Sequence, residues 1–230
     1  LTKYGSFWGL IPQTTGRYFW VSPSDSYVIE GQALSATDAN DGLSPERALR
    51  TIDRAIDLAT ASVGDVIVLL PGTHTSGTVV TIDKAGLTFV GINTHFRDSQ
   101  NYRAYALNSK VNWTSTLANT AVALSVADTT FIGINMIPVT ARTFMTAVTC
   151  PRTHFVDCAI TLSAAASTST KGVVASGGSS AYCSFVNCVF LNTIATSGQG
   201  PALDITGLGQ VLIDKCQIIL TGTSSAWAVA

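Results

Sequence analysis

From residue 80 onward the chain alternates short apolar strings with polar turns, and the strings resemble one another. Leu87-Thr88-Phe89-Val90-Gly91, Thr129-Thr130-Phe131-Ile132-Gly133, Thr153-His154-Phe155-Val156-Asp157, Cys183-Ser184-Phe185-Val186-Asn187 and Gln210-Val211-Leu212-Ile213-Asp214 align on one large apolar residue. The key positions 89, 131, 155, 185 and 212 lie 42, 24, 30 and 27 apart. Two positions after each stands Gly91, Gly133, Asp157, Asn187 or Asp214. These residue types tolerate a left-handed backbone, so a sharp bend is predicted there. Seven positions before the key residue stands Ile82, Leu124, Val148 or Ile205, with Gly178 in the remaining unit. After the bend comes a further apolar pair: Ile134 and Met136, Cys158 and Ile160, Cys188 and Phe190, and, one residue late after Lys215, Cys216 and Ile218. In the first unit Val111 and Trp113 fit that pair, which places an inserted loop at residues 94–109.

Three short strands per unit, stacked about 4.8 Å from the next unit, predict an all-β fold, a right-handed parallel β-solenoid in which like residues lie on like. The Phe and Leu ladder and the Cys ladder are then core. Free buried cysteine packs as a small hydrophobe, and a disulfide between coils is the less favoured alternative.

Ahead of the repeat, Ser44-Pro45-Glu46 reads as a helix start, with a hydroxyl N-cap, proline at the first position and an acid on the positive end of the dipole. Leu49, Ile52, Ile56 and Ala59 continue at helical spacing, predicting an N-terminal capping helix over 44–61. Val66 to Leu70 is a continuous apolar run stopped by Pro71-Gly72, a strand buried on both faces. Residues 1–37 form an aromatic-rich leader, and residues 38–230 the solenoid with its cap. The leader either wraps its own domain or anchors on a partner, for which Trp8, Tyr18 and Trp20 are the candidate contacts. The polar cluster Thr37 to Gly42 has no glutamate to close a calcium loop and reads as a turn.

Composition agrees with strands and turns. Of the 14 acidic residues only Glu30 and Glu46 are glutamate, and aspartate is the acid that favours turns. A formal charge of -1 offers no electrostatic footprint for nucleic acid or anionic lipid. The longest aliphatic run is far short of the roughly twenty residues that span a bilayer, so a soluble protein without a membrane partner is expected. The five cysteines have no zinc spacing, so neither metal nor cofactor is expected.

The string Asn40-Asp41-Gly42-Leu43-Ser44-Pro45-Glu46-Arg47-Ala48-Leu49-Arg50-Thr51-Ile52, followed by Gly64-Asp65-Val66-Ile67-Val68-Leu69-Leu70-Pro71-Gly72-Thr73, resembles the opening segment of pectate-lyase-like right-handed β-helix proteins. That superfamily includes polysaccharide lyases, glycoside hydrolases and bacteriophage tailspikes. The aromatic leader and the Ala/Thr/Ser-rich coils resemble phage virion proteins more closely than secreted lyases. The resemblance implies a structural protein of a phage particle, a capsid decoration or tailspike component on the virion surface. Its implied partners are other virion proteins, a homotrimer covering the solenoid end, and cell-surface polysaccharide. The alternatives are a carbohydrate-active β-helix enzyme, a lyase or hydrolase, and a carbohydrate-binding module without turnover.

No catalytic residues are assigned from sequence, and the chain is expected not to be an enzyme. A lyase needs a base beside the uronate carboxylate and acidic ligands for calcium, yet Lys84, Arg142, Arg152, Lys171 and Lys215 are scattered. A hydrolase needs two carboxylates about 5 to 10 Å apart. Asp157 and Asp214 meet that spacing on paper, but Asn187 between them favours a turn role. His74, His95 and His154 have no nucleophile around them, and His154 is expected to face solvent. The inserted loop is the preferred contact region, with Arg97, Tyr102, Arg103 and Tyr105 as interface types.

Overall fold

The computed structural model describes residues 12–29, 31–92, 111–117, 120–138, 143–148, 152–162, 171–176, 178–192, 202–205 and 208–220. Three parallel sheets form the walls of a tube. The first has seven strands, Tyr18–Val21, Val66–Leu69, Thr88–Gly91, Thr130–Ile132, Thr153–Val156, Gly178–Val186 and Leu208–Asp214, in chain order. The second begins at Thr73–Ser76 and runs through Val111–Ser115 to Gln217–Leu220, and the third runs from Val80–Ile82 to Leu203–Asp204. Each coil visits the first, second and third sheets before returning one strand spacing further on, the path of a parallel β-helix.

Side chains alternate in and out along each short strand, so register decides the core. Phe89, Phe131, Phe155 and Phe185 are direct partners across the first sheet and all are buried. Their rings stack with centroids 5.2, 5.1 and 4.7 Å apart, nearly parallel. In the second sheet the inward column is His74, Trp113, Met136, Ile160, Phe190 and Ile218. The assignment of Val111 and Trp113 to that column therefore holds. At the corner, the thiols of Cys158, Cys188 and Cys216 each donate to the carbonyl of the Phe one coil behind, at 3.3 to 3.4 Å. Neither these cysteines nor Cys183 form a disulfide. Hydrogen bonding to its neighbours Cys158 and Cys216, reinforced by burial, pushes the Cys188 thiol up, so it remains a neutral packing group.

Register corrects the repeat in several places. The partner of Phe185 is Ile213, not Leu212, because the last bend falls one residue late: Lys215 is left-handed with φ 51°, and Asp214 pairs with Val186 inside the strand. Gly91 is not left-handed either. A Cβ there would lie 2.6 Å from the Gly133 carbonyl oxygen and 2.9 Å from Val111 Cβ, so this glycine answers to space. In the third sheet Leu124 pairs with Ala147, displacing Val148 by one, and Gly178 belongs to the first sheet.

The cap also differs from the continuous helix expected over 44–61. Pro45–Arg47 is a single 3₁₀ turn, and the α-helix runs only from Ile52 to Leu58. Between them Ala48 is extended, and Leu49 exchanges backbone hydrogen bonds with Trp20 and Ser22, which withdraws it from any helix. The helix starts on Thr51, whose hydroxyl accepts from the Arg54 amide. Asp38 holds the approach, its carboxylate accepting from the Arg50 and Thr51 amides at 2.9 Å each. The polar cluster is thus a turn that braces the helix. Ile52, Ala55 and Ile56 are buried on the end of the Phe column's core, covering the tube as a cap must.

Candidate functional site

The outer face of the first sheet carries the site. Because inward residues alternate with outward ones, the residues just before the Phe column stack outside the tube as Thr88, Thr130, His154, Ser184 and Leu212. Two positions earlier in successive coils come Asp128, Arg152 and Tyr182. Asp128 and Arg152 are both left-handed, with φ 58° and 59°, so the chain bends at the same point in adjacent coils and brings the two side chains side by side. Arg152 grips Asp128 with two guanidinium nitrogens, Nη2 donating to Oδ2 at 2.8 Å. Those hydrogen bonds hold the Asp128 carboxyl below its usual range, and the nearby His154 acts in the same direction. Both side chains are largely exposed, so the pair is worth little to stability and its charges face solvent.

One coil further, His154 Nδ1 lies 2.7 Å from Ser184 Oγ, and the Tyr182 ring stands edge-on to the imidazole with centroids 5.7 Å apart. Ser184 is only 5% exposed while His154 is half-exposed. The serine is therefore a floor beneath the ring, ill placed to attack a substrate. With Nδ1 directed at that floor, the tautomer in which Nδ1–H donates to Ser184 leaves Nε2 as a free base on the outer side. The stripe thus combines a fixed imidazole, a guanidinium and an aromatic ring within two consecutive coils.

The sequence-predicted residues fare differently. Trp20 is 1% exposed, packed on the outside of the first strands with Val66 and Val68 beneath a hairpin that carries Tyr27 and Ile29. Its expected role as a partner contact is corrected, since no partner reaches it. Tyr18 is half-buried and its hydroxyl donates to the Pro12 carbonyl at 3.0 Å. Tyr18–Val21 is itself the first strand of the sheet, so the solenoid begins ahead of residue 38. Trp8 and the inserted-loop residues Arg97, Tyr102, Arg103 and Tyr105 lie outside the described residues, as do His95 and Arg142. Asp157 and Asn187 are stacked left-handed bends, with the Asn187 amide donating to the Asp157 carboxylate, which supports their turn role. Lys84 caps the helix by donating to the carbonyls of Asp57 and Ala59 at 2.7 Å, and Lys171 pairs with Asp204.

His154 was expected to stand alone, and that is corrected: Ser184 and Tyr182 meet it across one coil spacing. The signal was present in the repeat, since aligning Thr153-His154-Phe155 with Cys183-Ser184-Phe185 already places His154 beside Ser184. Among the described residues no three His, Cys, Asp or Glu side chains converge as a metal site requires. Asp128, the carboxylate of the stripe, is taken up by Arg152, so these residues do not fit the calcium of a lyase.

No family model matches the sequence, and no curated protein matches it. Two solved structures do. A rhamnogalacturonan lyase matches with TM-score 0.55 and 12% identity over 93% of this chain and 56% of that one. The chain therefore spans little more than half of the lyase's length. A pectin methylesterase from Aspergillus niger matches with TM-score 0.43 and 14% identity over 95% of this chain and 85% of that one, which adds nothing to the first. At this identity the likeness shows the fold alone, a parallel β-helix. The expectation that the chain is not an enzyme is corrected: the fold it matches is one on which a lyase is built, so the fold gives no ground for that exclusion. The virion location, virion partners and threefold association implied by the resemblance draw no support from either neighbour.

Proposed function

We propose that the chain is a carbohydrate-active β-helix enzyme that cleaves an acidic polysaccharide by elimination on the outer face of the first sheet. The observation that carries this reading is the His154 ring, fixed by Ser184 at 2.7 Å beside the exposed guanidinium of Arg152. A uronate lying along the stripe would place its carboxylate on Arg152, which neutralises it and acidifies the neighbouring C–H. Nε2 of His154 takes that proton. The electron pair left on carbon closes a carbon–carbon double bond while the glycosidic carbon–oxygen bond breaks, and the departing oxygen is protonated from solvent. Tyr182 offers a ring face for the sugar next in line. Hydrolysis is less well supported, because the stripe has one carboxylate where two are needed. Acyl transfer is disfavoured by the burial of Ser184.

The test is a panel of acidic polysaccharides, polygalacturonate and rhamnogalacturonan among them, followed for the ultraviolet absorbance of new unsaturated ends. Release of such ends that disappears in His154→Ala supports the reading. Retention of the polymer without cleavage would make the chain a binding module, and reducing ends without unsaturation would make it a hydrolase.

A further inference from the structure

Three of the thiols form a column of their own at the corner between the first and second sheets. Cys188 and Cys216 immediately precede the paired residues Val189 and Gln217, so they stack one strand spacing apart, about 4.8 Å. Cys158 stands in the same place one coil earlier, ahead of Ala159, the partner of Val189. Burial is graded along the column: Cys158 and Cys188 are 0% and 1% exposed, whereas Cys216 is only half-buried. The coil of Cys216 supplies the last strand of the first sheet and the last of the second, so among the described residues no further strand stacks beyond it.

The outer two cysteines are in direct contact. The Cys188 amide donates to Cys216 Sγ at 3.4 Å, and the Gln217 amide donates to the Cys188 carbonyl at 2.8 Å, which holds both residues at one corner. Hydrogen bonding from Cys188 pushes the Cys216 thiol down to about 7, against an upward push from burial. The thiolate is the nucleophilic form of cysteine, and here it reaches solvent. Its buried neighbour keeps its proton and lies within reach of any sulfur species formed at Cys216.

A disulfide bridges Cα atoms roughly 4.4 to 6.8 Å apart, and the coil spacing falls inside that window. Stacked side chains point the same way, so closing the bridge takes a χ1 rotation and a small movement of the outer coil. That coil has a described strand neighbour on one side only. We infer that Cys216 and Cys188 are a peroxide-oxidised pair, Cys216 reacting first and Cys188 closing a disulfide that ties the last described coil to the one before it. The Cys216 sulfur attacks one oxygen of hydrogen peroxide and the O–O bond breaks. The departing hydroxide leaves as water with the thiol proton, and a sulfenic acid remains. The Cys188 sulfur then attacks the Cys216 sulfur. The S–S bond forms, the S–O bond breaks, and the Cys188 proton leaves with the hydroxyl as a second water. Two thiols lose two electrons and one peroxide gains them. Cys158, fully buried and one coil further from solvent, takes no part. The inference concerns different residues from the sheet face and does not rest on the lyase reading.

The test treats the reduced full chain with one equivalent of hydrogen peroxide at neutral pH and digests it with trypsin without reductant. Cleavage after Lys171 and Lys215 puts Cys188 on residues 172–215 and Cys216 on residues 216–230, and a chymotryptic cut after Phe185 removes Cys183 from the first. The expected product is these two peptides joined, two hydrogens lighter than their sum, while the thiols titrated after unfolding fall from five to three. Cys158→Ser should bridge as the parent does, and Cys188→Ser should leave Cys216 oxidised without a bridge. A bridge through Cys150, Cys158 or Cys183, a bridge between two chains, five intact thiols, or an equal yield from chain unfolded in urea overturns the inference. None of these readings of the parent chain needs a variant to fold. His154→Ala should lose cleavage at the sheet face and still bridge, which separates the two.

Discussion

His154 and Ser184 are 30 residues apart in sequence and 2.7 Å apart in space, because one coil of the β-helix returns the chain to the same outward position. Everything proposed for the sheet face depends on that return. Removing the imidazole in His154→Ala should lower turnover by roughly 10² to 10⁴, the usual contribution of a positioned acid–base group. Ser184→Ala leaves the base in place but frees the ring, so turnover should fall by a smaller factor and the pH–rate profile should move. Initial rates across pH on the polymer that is cleaved will decide, and full activity in His154→Ala removes the residue from the mechanism.

Arg152 is shared between Asp128 and whatever approaches from solvent. Asp128→Ala should therefore lower KM for an acidic polymer by releasing the guanidinium, whereas Arg152→Gln should raise it. Arg152→Lys should rescue poorly, since a point charge does not replace a planar fork that grips a carboxylate. A higher KM in Asp128→Ala would mean that the pair positions Arg152 rather than competes for it.

The Phe column is continuous core. Phe155 is fully buried, with ring centroids 5.1 Å from Phe131 and 4.7 Å from Phe185. Phe155→Ala should cost about 3 to 5 kcal/mol, the transfer and cavity cost of a large buried ring. Denaturant unfolding of the variant measures this directly, and a loss below about 1 kcal/mol would contradict the packing.

Burial lowers the His74 pKa from 6.5 to about 4, only partly offset by the Leu70 hydrogen bond. The folded state thus holds fewer protons on this ring than the unfolded chain between those values. Stability contributed by the neutral ring is present above pH 6.5 and is lost as pH falls toward 4, by roughly 3 kcal/mol in total. Melting temperatures between pH 7 and pH 4 should show the decline, and His74→Gln should flatten it. An equally steep decline in the variant would assign the effect to other groups.

Lys215 stands in the left-handed bend that Gly133 takes three coils before it, with Asp157 and Asn187 in between. A side chain there costs about 1 kcal/mol or more, so Lys215→Gly should stabilise the last described coil by up to about that amount, reduced by glycine's larger unfolded-state entropy. Gly91→Ala should do the opposite, because its Cβ would meet the backbone of Gly133. Hydrogen exchange of the coils on either side reads both effects.

The solenoid was legible in the sequence because a stacked fold writes its core as a repeat: the Phe column, the Cys corner and the inward pair each recur with the coil. The last coil was misread by one residue because Asp214 belongs to a residue type that favours the bend, while tertiary register placed the bend on Lys215. The capping helix was overextended for a similar reason. Helical spacing of Leu49 and Ile52 is local, but Leu49 gains more by pairing its backbone with the first strand.

Alternation and recurrence along the chain were sufficient to establish that it coils into a parallel β-helix with aromatic rings down its centre, since those signals are carried by nearest neighbours and by period. Which outward residues meet was decided only by tertiary register. The meeting of Asp128 with Arg152, and of His154 with Ser184 and Tyr182, depends on coils of unequal length closing to the same point. The burial of Trp20 depends likewise on a hairpin folding back over the first strands. Composition does not encode such closures, because their free energy comes from contacts between segments that are distant in sequence and adjacent only in the folded tube.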